Sequence, residues 1–238
     1  MSELLVLEAV DAYYGSSHVL QGVSLTVGAG EVVLLLGRNG AGKTTVMRTV
    51  MGLVAAQGTQ IAFRGQDLRG MPPHRIARLG IGLVPEDRRM FAKLTVRENL
   101  EVGRKPPADG RSAGRWEIER VFWLFPALES LQHRKAGTLS GGQQQMVTIA
   151  RTLMGNPTLL LLDEPAEGLA PVTAQGLAEQ LVRLRSEGLS MLISEQNLSF
   201  ARALAERAYV MESGCVRHHG TLAELDADPS AWTRYVAF

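Results

Sequence analysis

The chain has a single cysteine, Cys215. An internal disulfide is therefore excluded, as is a zinc cluster built from cysteines, and a reduced, cytosolic compartment is the simplest expectation. No apolar run approaches the roughly 18 residues that a membrane-crossing helix needs. Met1-Ser2-Glu3-Leu4 places an acid where a secretory signal would carry positive charge, so no cleavable leader is expected. An excess of one charge is missing too: 25 lysines and arginines against 24 aspartates and glutamates leave a formal net charge of +1. Chains that live on nucleic acid or anionic lipid normally show a clear basic excess. No nucleic-acid partner is expected here, and any membrane contact would run through another protein. Internal repeats and low-complexity tails are also absent.

What is present is an ordinary globular composition, 45% hydrophobic and 21% charged over 238 residues, enough for one substantial domain. Apolar runs of strand length recur at Glu31–Leu36, Thr158–Leu162 and Ser190–Ser194. Two are nearly uninterrupted, as central strands covered on both faces should be. Helical stretches alternate with them at Lys43–Met51, Gly142–Met154, Val172–Glu187 and Leu198–Arg207. This alternation predicts an α/β fold with a mainly parallel central sheet. Shorter strand-like pieces, Leu5–Ala9 and Gly22–Val27, suggest antiparallel additions. Between about Thr95 and Lys135 helix-like segments (Val96–Val102 and Trp116–Phe125) flank the polar connector "GRKPPADGRSAGR", which reads as a helical insert.

Three motifs carry chemistry. "GRNGAGKTT" follows a strand and opens a helix, and it fits the phosphate-binding pattern G-x-x-x-x-G-K-[ST] at Gly37, Gly42, Lys43 and Thr44. In this reading Gly37, Arg38, Asn39, Gly40, Ala41, Gly42, Lys43, Thr44 and Thr45 form the phosphate-binding loop of a nucleotide site, which the resemblance named below implies is for ATP. The glycines let backbone N–H groups turn toward phosphate oxygens, Lys43 supplies charge, and the Thr44 hydroxyl is placed to ligate Mg²⁺. "LLLLDEP" ends a buried strand on two carboxylates. By itself that is a solvated acidic turn. Beside a phosphate loop, Asp163 suits the Mg²⁺ shell, through water or directly, and Glu164 suits polarising the attacking water. "LSGGQQQ" offers a hydroxyl, bare backbone amides and a helix N-terminus. It is either a second anion site or a plain serine cap with loop glycines.

Together, Gly37–Thr44, "LSGGQ" at Leu139–Gln143 and "LLLLDEP" resemble the ATP-binding subunit of an ABC transporter, over essentially the whole chain. "VPEDRRMF" at Val84–Phe91, "EGLAP" at Glu167–Pro171, "SEQN" at Ser194–Asn197 and the opening "YYGSSHVL" are similar, more narrowly, to importers of branched-chain amino acids and their relatives for amides and urea. The resemblance implies one nucleotide-binding domain over residues 1–238, with a helical subdomain at about 88–140. It implies that Tyr14 stacks on adenine, and that Ser140, Gly141, Gly142 and Gln143 act on ATP held by a second ATPase subunit, a copy or a paralogue, in a head-to-tail dimer. It further implies transmembrane permease subunits, an extracytoplasmic binding protein engaged indirectly, and a peripheral position on the cytoplasmic face of the cell membrane.

The sequence departs from the general pattern of that family at three places. Glu86 stands where a glutamine is usual and could approach Mg²⁺. The loop after Glu164 lacks its usual aspartate. Gln196 falls where a histidine normally meets the γ-phosphate, and Asn197 where an aspartate is common. A glutamine amide donates one neutral hydrogen bond but carries no charge. Arg88 and Arg89 either pair with Glu86 or Asp87 or lie on the solvent face. The expected activity is MgATP hydrolysis driving uptake, with Glu164 and Gln196 catalytic. Alternatives are the same role in a urea or short-chain amide importer, an ATP-binding switch that hydrolyses poorly, or a soluble ATPase of DNA repair or translation.

Overall fold

A computed structural model describes residues 3–107 and 115–227. Of the polar connector, residues 108–114 lie outside the described residues. The chain opens with strands β1 (Glu3–Tyr14), β2 (Ser17–Gly28) and β3 (Val32–Leu36), then helix α1 (Lys43–Val50). Strands β4 (Ala55–Gln57), β5 (Gln60–Phe63) and β6 (Gln66–Asp67), helix α2 (Pro73–Arg78) and strand β7 (Ile81–Val84) follow. Helices α3 (Val96–Gly103), α4 (Ile118–Leu124), α5 (Pro126–Glu129) and α6 (Gly141–Leu153) come next. The remainder alternates: β8 (Leu159–Asp163), α7 (Pro171–Ser186), β9 (Ser190–Glu195), α8 (Leu198–Arg202), β10 (Arg207–Glu212), β11 (Cys215–Thr221) and α9 (Leu222–Ala227).

Two sheets result. The larger runs β11-β10-β3-β9-β8-β7 and is parallel except for β11 at its edge. The other, β2-β1-β5-β6 with β4 on β1, is antiparallel. Every residue of β3, β8 and β9 is buried because both faces of the parallel sheet are covered. Val32, Leu34, Leu160, Leu162, Met191 and Ile193 face a helical layer that supplies Leu100, Phe122, Leu128, Val147 and Leu181. Val33, Leu35, Leu159, Leu161 and Leu192 face α1 and the antiparallel sheet, through Val46, Met47, Leu7 and Leu25. Each such side chain contributes about 1.5–3 kcal/mol by leaving water, so the parallel sheet is a rigid platform.

The N-terminal strands are longer than their sequence pattern predicts, because register breaks between Leu7 and Val10 and again near Ala12 scramble the alternation. The helix expected over Leu198–Arg207 stops at Arg202. Leu204 is fully buried in the following turn, and Arg207 already pairs with Val33 as part of β10. Register aligns Leu36 with Glu195 and Asp163 with Ser194. The C-terminal ends of β3, β8 and β9 therefore lie side by side, where open parallel sheets place their ligands.

Candidate functional site

The loop after β3 turns back sharply at Gly37, whose φ is +153°; a Cβ there would sit 2.5 Å from the Met211 carbonyl oxygen, so only glycine fits. At Gly42 φ is +107°, and α1 starts immediately afterwards. No side chain caps α1 and no acid lies in its first turn. Its positive end is thus left to an outside anion. The Lys43 side chain folds back under the loop, with Nζ donating to the carbonyl oxygens of Gly37 (2.7 Å) and Arg38 (3.1 Å). The same Nζ pairs with Glu164 Oε1 at 2.9 Å, and both side chains are buried.

The ends of β8 and β9 converge on this loop. Thr44 Oγ1 donates to Asp163 Oδ1 at 3.0 Å, and Ser194 Oγ donates to the same oxygen at 2.7 Å. Ser194 Oγ also accepts the Glu164 N–H at 2.9 Å. Glu164 has φ +46°, an uncommon conformation for a non-glycine residue, which turns the chain sharply away from β8. Asn39 to Thr45, Val19, Glu86 and Glu164 enclose a cleft of about 320 Å³.

Partial desolvation first, then the neighbouring carboxylate of Glu167 and the charges of Asp163 and Asp87, raise the pKa of Glu86 above the usual carboxylate value. Arg89 pairs with Asp87 at 2.8 Å. Arg88 takes neither expected course: its guanidinium reaches the Glu167 carbonyl oxygen at 3.3 Å, across from Gly141. Gln196 is half-buried, and its side-chain oxygen is buried with no hydrogen-bond partner. Asn197 caps α8, accepting the Phe200 N–H at 3.2 Å.

Not every expected residue joins the cleft. Ser140 is exposed and caps α6 in a reciprocal box with Gln143. Gly142 has no room for a side chain because Thr173 of α7 occupies the space, while Gly141 faces Arg88. Tyr14 ends β1 and is 43% exposed, its hydroxyl accepting from Arg48 Nη1 at 3.4 Å. The sequence reading assigned no role to Ser194 or to the buried acid Glu195. The signal was available: polar side chains ending an otherwise apolar, fully buried strand.

Two oxygen donors, Thr44 Oγ1 and Asp163 Oδ1, adjoin the loop, and no cluster of three metal-ligating side chains exists among the described residues. This donor set fits Mg²⁺, which prefers hard oxygens and takes few of them from protein when phosphates and water complete its shell.

A family model described as ABC transporter matches residues 20–167. The high-affinity branched-chain amino acid transport ATP-binding protein BraG of Pseudomonas aeruginosa is 42% identical over 233 residues, covering 98% of this chain and 99% of BraG. The lipopolysaccharide export system ATP-binding protein LptB of Escherichia coli is 36% identical over 232 residues, covering 96% of this chain and 94% of LptB. The solved ADP conformation of an ATP-binding cassette of an ABC transporter matches with a TM-score of 0.81 at 30% identity, covering 98% of each chain.

Proposed function

The chain belongs to the ABC transporter family of ATP-binding proteins, and from that premise we propose that it is the ATP-hydrolysing subunit of a bacterial importer of branched-chain amino acids. The cargo assignment is carried by one observation, the end-to-end 42% identity to BraG against 36% to LptB.

Cassettes of this family bind ATP and work as dimers with transmembrane permease subunits. In the proposed cycle the loop amides and Lys43 hold the β- and γ-phosphates, so Lys43 exchanges Glu164 for phosphate oxygens. Glu164, freed of its cation, accepts the proton of the attacking water. Gln196, just after β9, donates a neutral hydrogen bond to the γ-phosphate through its side-chain amide. Mg²⁺ held by Thr44 and Asp163, with Glu86 at the cleft wall, would neutralise phosphate charge. Tyr14 offers its exposed ring to adenine. Ser140, Gly141, Gly142 and Gln143 act on the nucleotide of the second subunit, head to tail.

The helical subdomain at about 88–140 carries the permease contact. A cleft of about 360 Å³ opens beside it, with Phe91 48% and Val102 55% exposed and the Arg151 guanidinium lying 5.1 Å from the Phe91 ring centroid. No helix among the described residues is long and apolar enough to cross a membrane. Attachment to the inner face of the membrane would therefore run through the permease, with an extracytoplasmic binding protein delivering the solute.

Proteoliposomes carrying the intact complex test this reading. Leucine-class amino acids should stimulate ATP turnover and accumulate, and Glu164→Gln should abolish both. Stimulation by urea or short amides instead would overturn the cargo assignment alone. Absence of turnover under every partner condition would sink the enzyme.

A further inference from the structure

Glu195 closes β9 with 2% of its surface exposed, and nothing in the chemistry above uses it. No lysine or arginine pairs with it among the described residues. Its carboxylate is met by three backbone donors instead: the N–H of Ala166 reaches Oε1 at 3.1 Å, and those of Gln196 and Asn197 reach Oε2 at 3.2 Å each. These donors belong to two different segments. Ala166 lies just beyond Glu164 in the turn after β8, whereas Gln196 and Asn197 begin the turn after β9. Pairing of the two strands ends at Asp163 and Ser194, with a last bond from the Glu164 N–H to the Ser194 carbonyl oxygen at 3.2 Å. Beyond that point the Glu195 carboxylate is what ties the two turns together.

We propose that Glu195 is a positioning residue for ATP hydrolysis, its two oxygens fixing the backbone that carries Glu164 against the backbone that carries Gln196. The inference rests on the roles given above to those two side chains. A carboxylate is the side chain suited to this place, because both of its oxygens accept. Glutamine, nearly the same shape, would turn an NH₂ group toward one set of N–H donors and release that turn. Burial of an acid close to Glu164 disfavours its charge. A local cost of this kind is most readily kept where function requires it.

The test is steady-state turnover and nucleotide affinity of the reconstituted complex with Glu195→Gln, Glu164→Gln, Gln196→Ala and the Glu195→Gln/Gln196→Ala double variant. Displacing a reacting group by an ångström costs about 10²-fold, so Glu195→Gln should lower kcat by about 10–100-fold. KM for ATP should stay within about two-fold of wild type, since the phosphate loop is untouched. The double variant should lose less than the product of the two single losses, because part of what Glu195→Gln disturbs is the placement of Gln196. Wild-type kcat in Glu195→Gln, loss of nucleotide affinity in parallel with kcat, or full additivity in the double variant would each overturn the proposal. If Glu195→Gln does not accumulate as folded protein, Glu195→Asp, which keeps both acceptors at shorter reach, is held to the same split. Normal turnover in Glu164→Gln or Gln196→Ala would overturn the site assignment itself. Loss in both of those with full activity in Glu195→Gln overturns this inference alone.

Discussion

Lys43 and Glu164 form a buried ion pair with Nζ 2.9 Å from Oε1. The cation of the phosphate loop and the acid proposed to activate water are thus each other's partner. Lys43 has two further acceptors, the carbonyl oxygens of Gly37 and Arg38. The Glu164 carboxylate has no other ion-pair partner among the described residues, so the two members of the pair depend on each other unequally.

That asymmetry sets the first prediction. Lys43→Ala leaves a buried carboxylate without its cation and should lower unfolding free energy by about 3–5 kcal/mol. Glu164→Gln leaves Lys43 with its carbonyls and should cost about 1–2 kcal/mol. Urea unfolding without nucleotide measures both, and equal losses would show that the pair is not what holds Glu164.

Gln196 is expected to supply a donor without charge. Gln196→Ala should reduce kcat at saturating ATP by about 10²–10³-fold, the usual consequence of removing a preorganised donor. Gln196→His should be tolerated. An alanine variant with unchanged turnover would refute the assignment.

Ser194 bonds both Asp163 and the backbone of Glu164. Its replacement by alanine removes a hydrogen bond to a charged acceptor and should cost about 1.5–3 kcal/mol. Asp163 would also lose the bond that orients it, so more Mg²⁺ should be needed for half-maximal turnover. A magnesium titration matching wild type would separate the stability effect from any role at the metal site.

Glu195 should make stability depend on pH. Burial first, and the charge of Glu164 with it, push its pKa from the ordinary 4.5 to about 7, against the three backbone donors that favour the charged form. The folded protein then holds this proton more tightly than the unfolded chain. Stability is therefore highest below the unfolded value and falls as pH rises through about 7, by about 3 kcal/mol for a shift of this size. Glu195→Gln should flatten that decline between pH 5 and 8 in thermal unfolding. Parallel profiles for the two proteins would mean that Glu195 does not titrate there.

Chemistry that is local in the chain was legible from the residues alone. Gly37 to Thr45 were legible as a phosphate-binding pattern because glycines at fixed offsets, a lysine and a threonine fall within one short stretch. The apolar runs before Gly37 and Asp163 and around Ile193 read as central strands, since a doubly covered sheet hides such runs. Asp163 and Glu164 were legible as a site because a phosphate-binding pattern stands elsewhere in the chain; by themselves they read as a solvated acidic turn.

Which of these ends meet was not legible there, because strand order and register are set by packing across the sheet and not by any neighbour in sequence. Alignment of β3, β8 and β9 brings Ser194 onto Asp163 and Glu195 onto Ala166. The same packing sent Arg88 to the loop after Glu164 instead of to a neighbouring acid. It also ended the helix after Asn197 early, because pairing with β3 claimed the chain from Arg207 onward. The glutamine that ends β9 could be recognised from sequence; the buried acid beside it, which joins two turns through three backbone N–H groups, acquired its meaning only when the strands were in place.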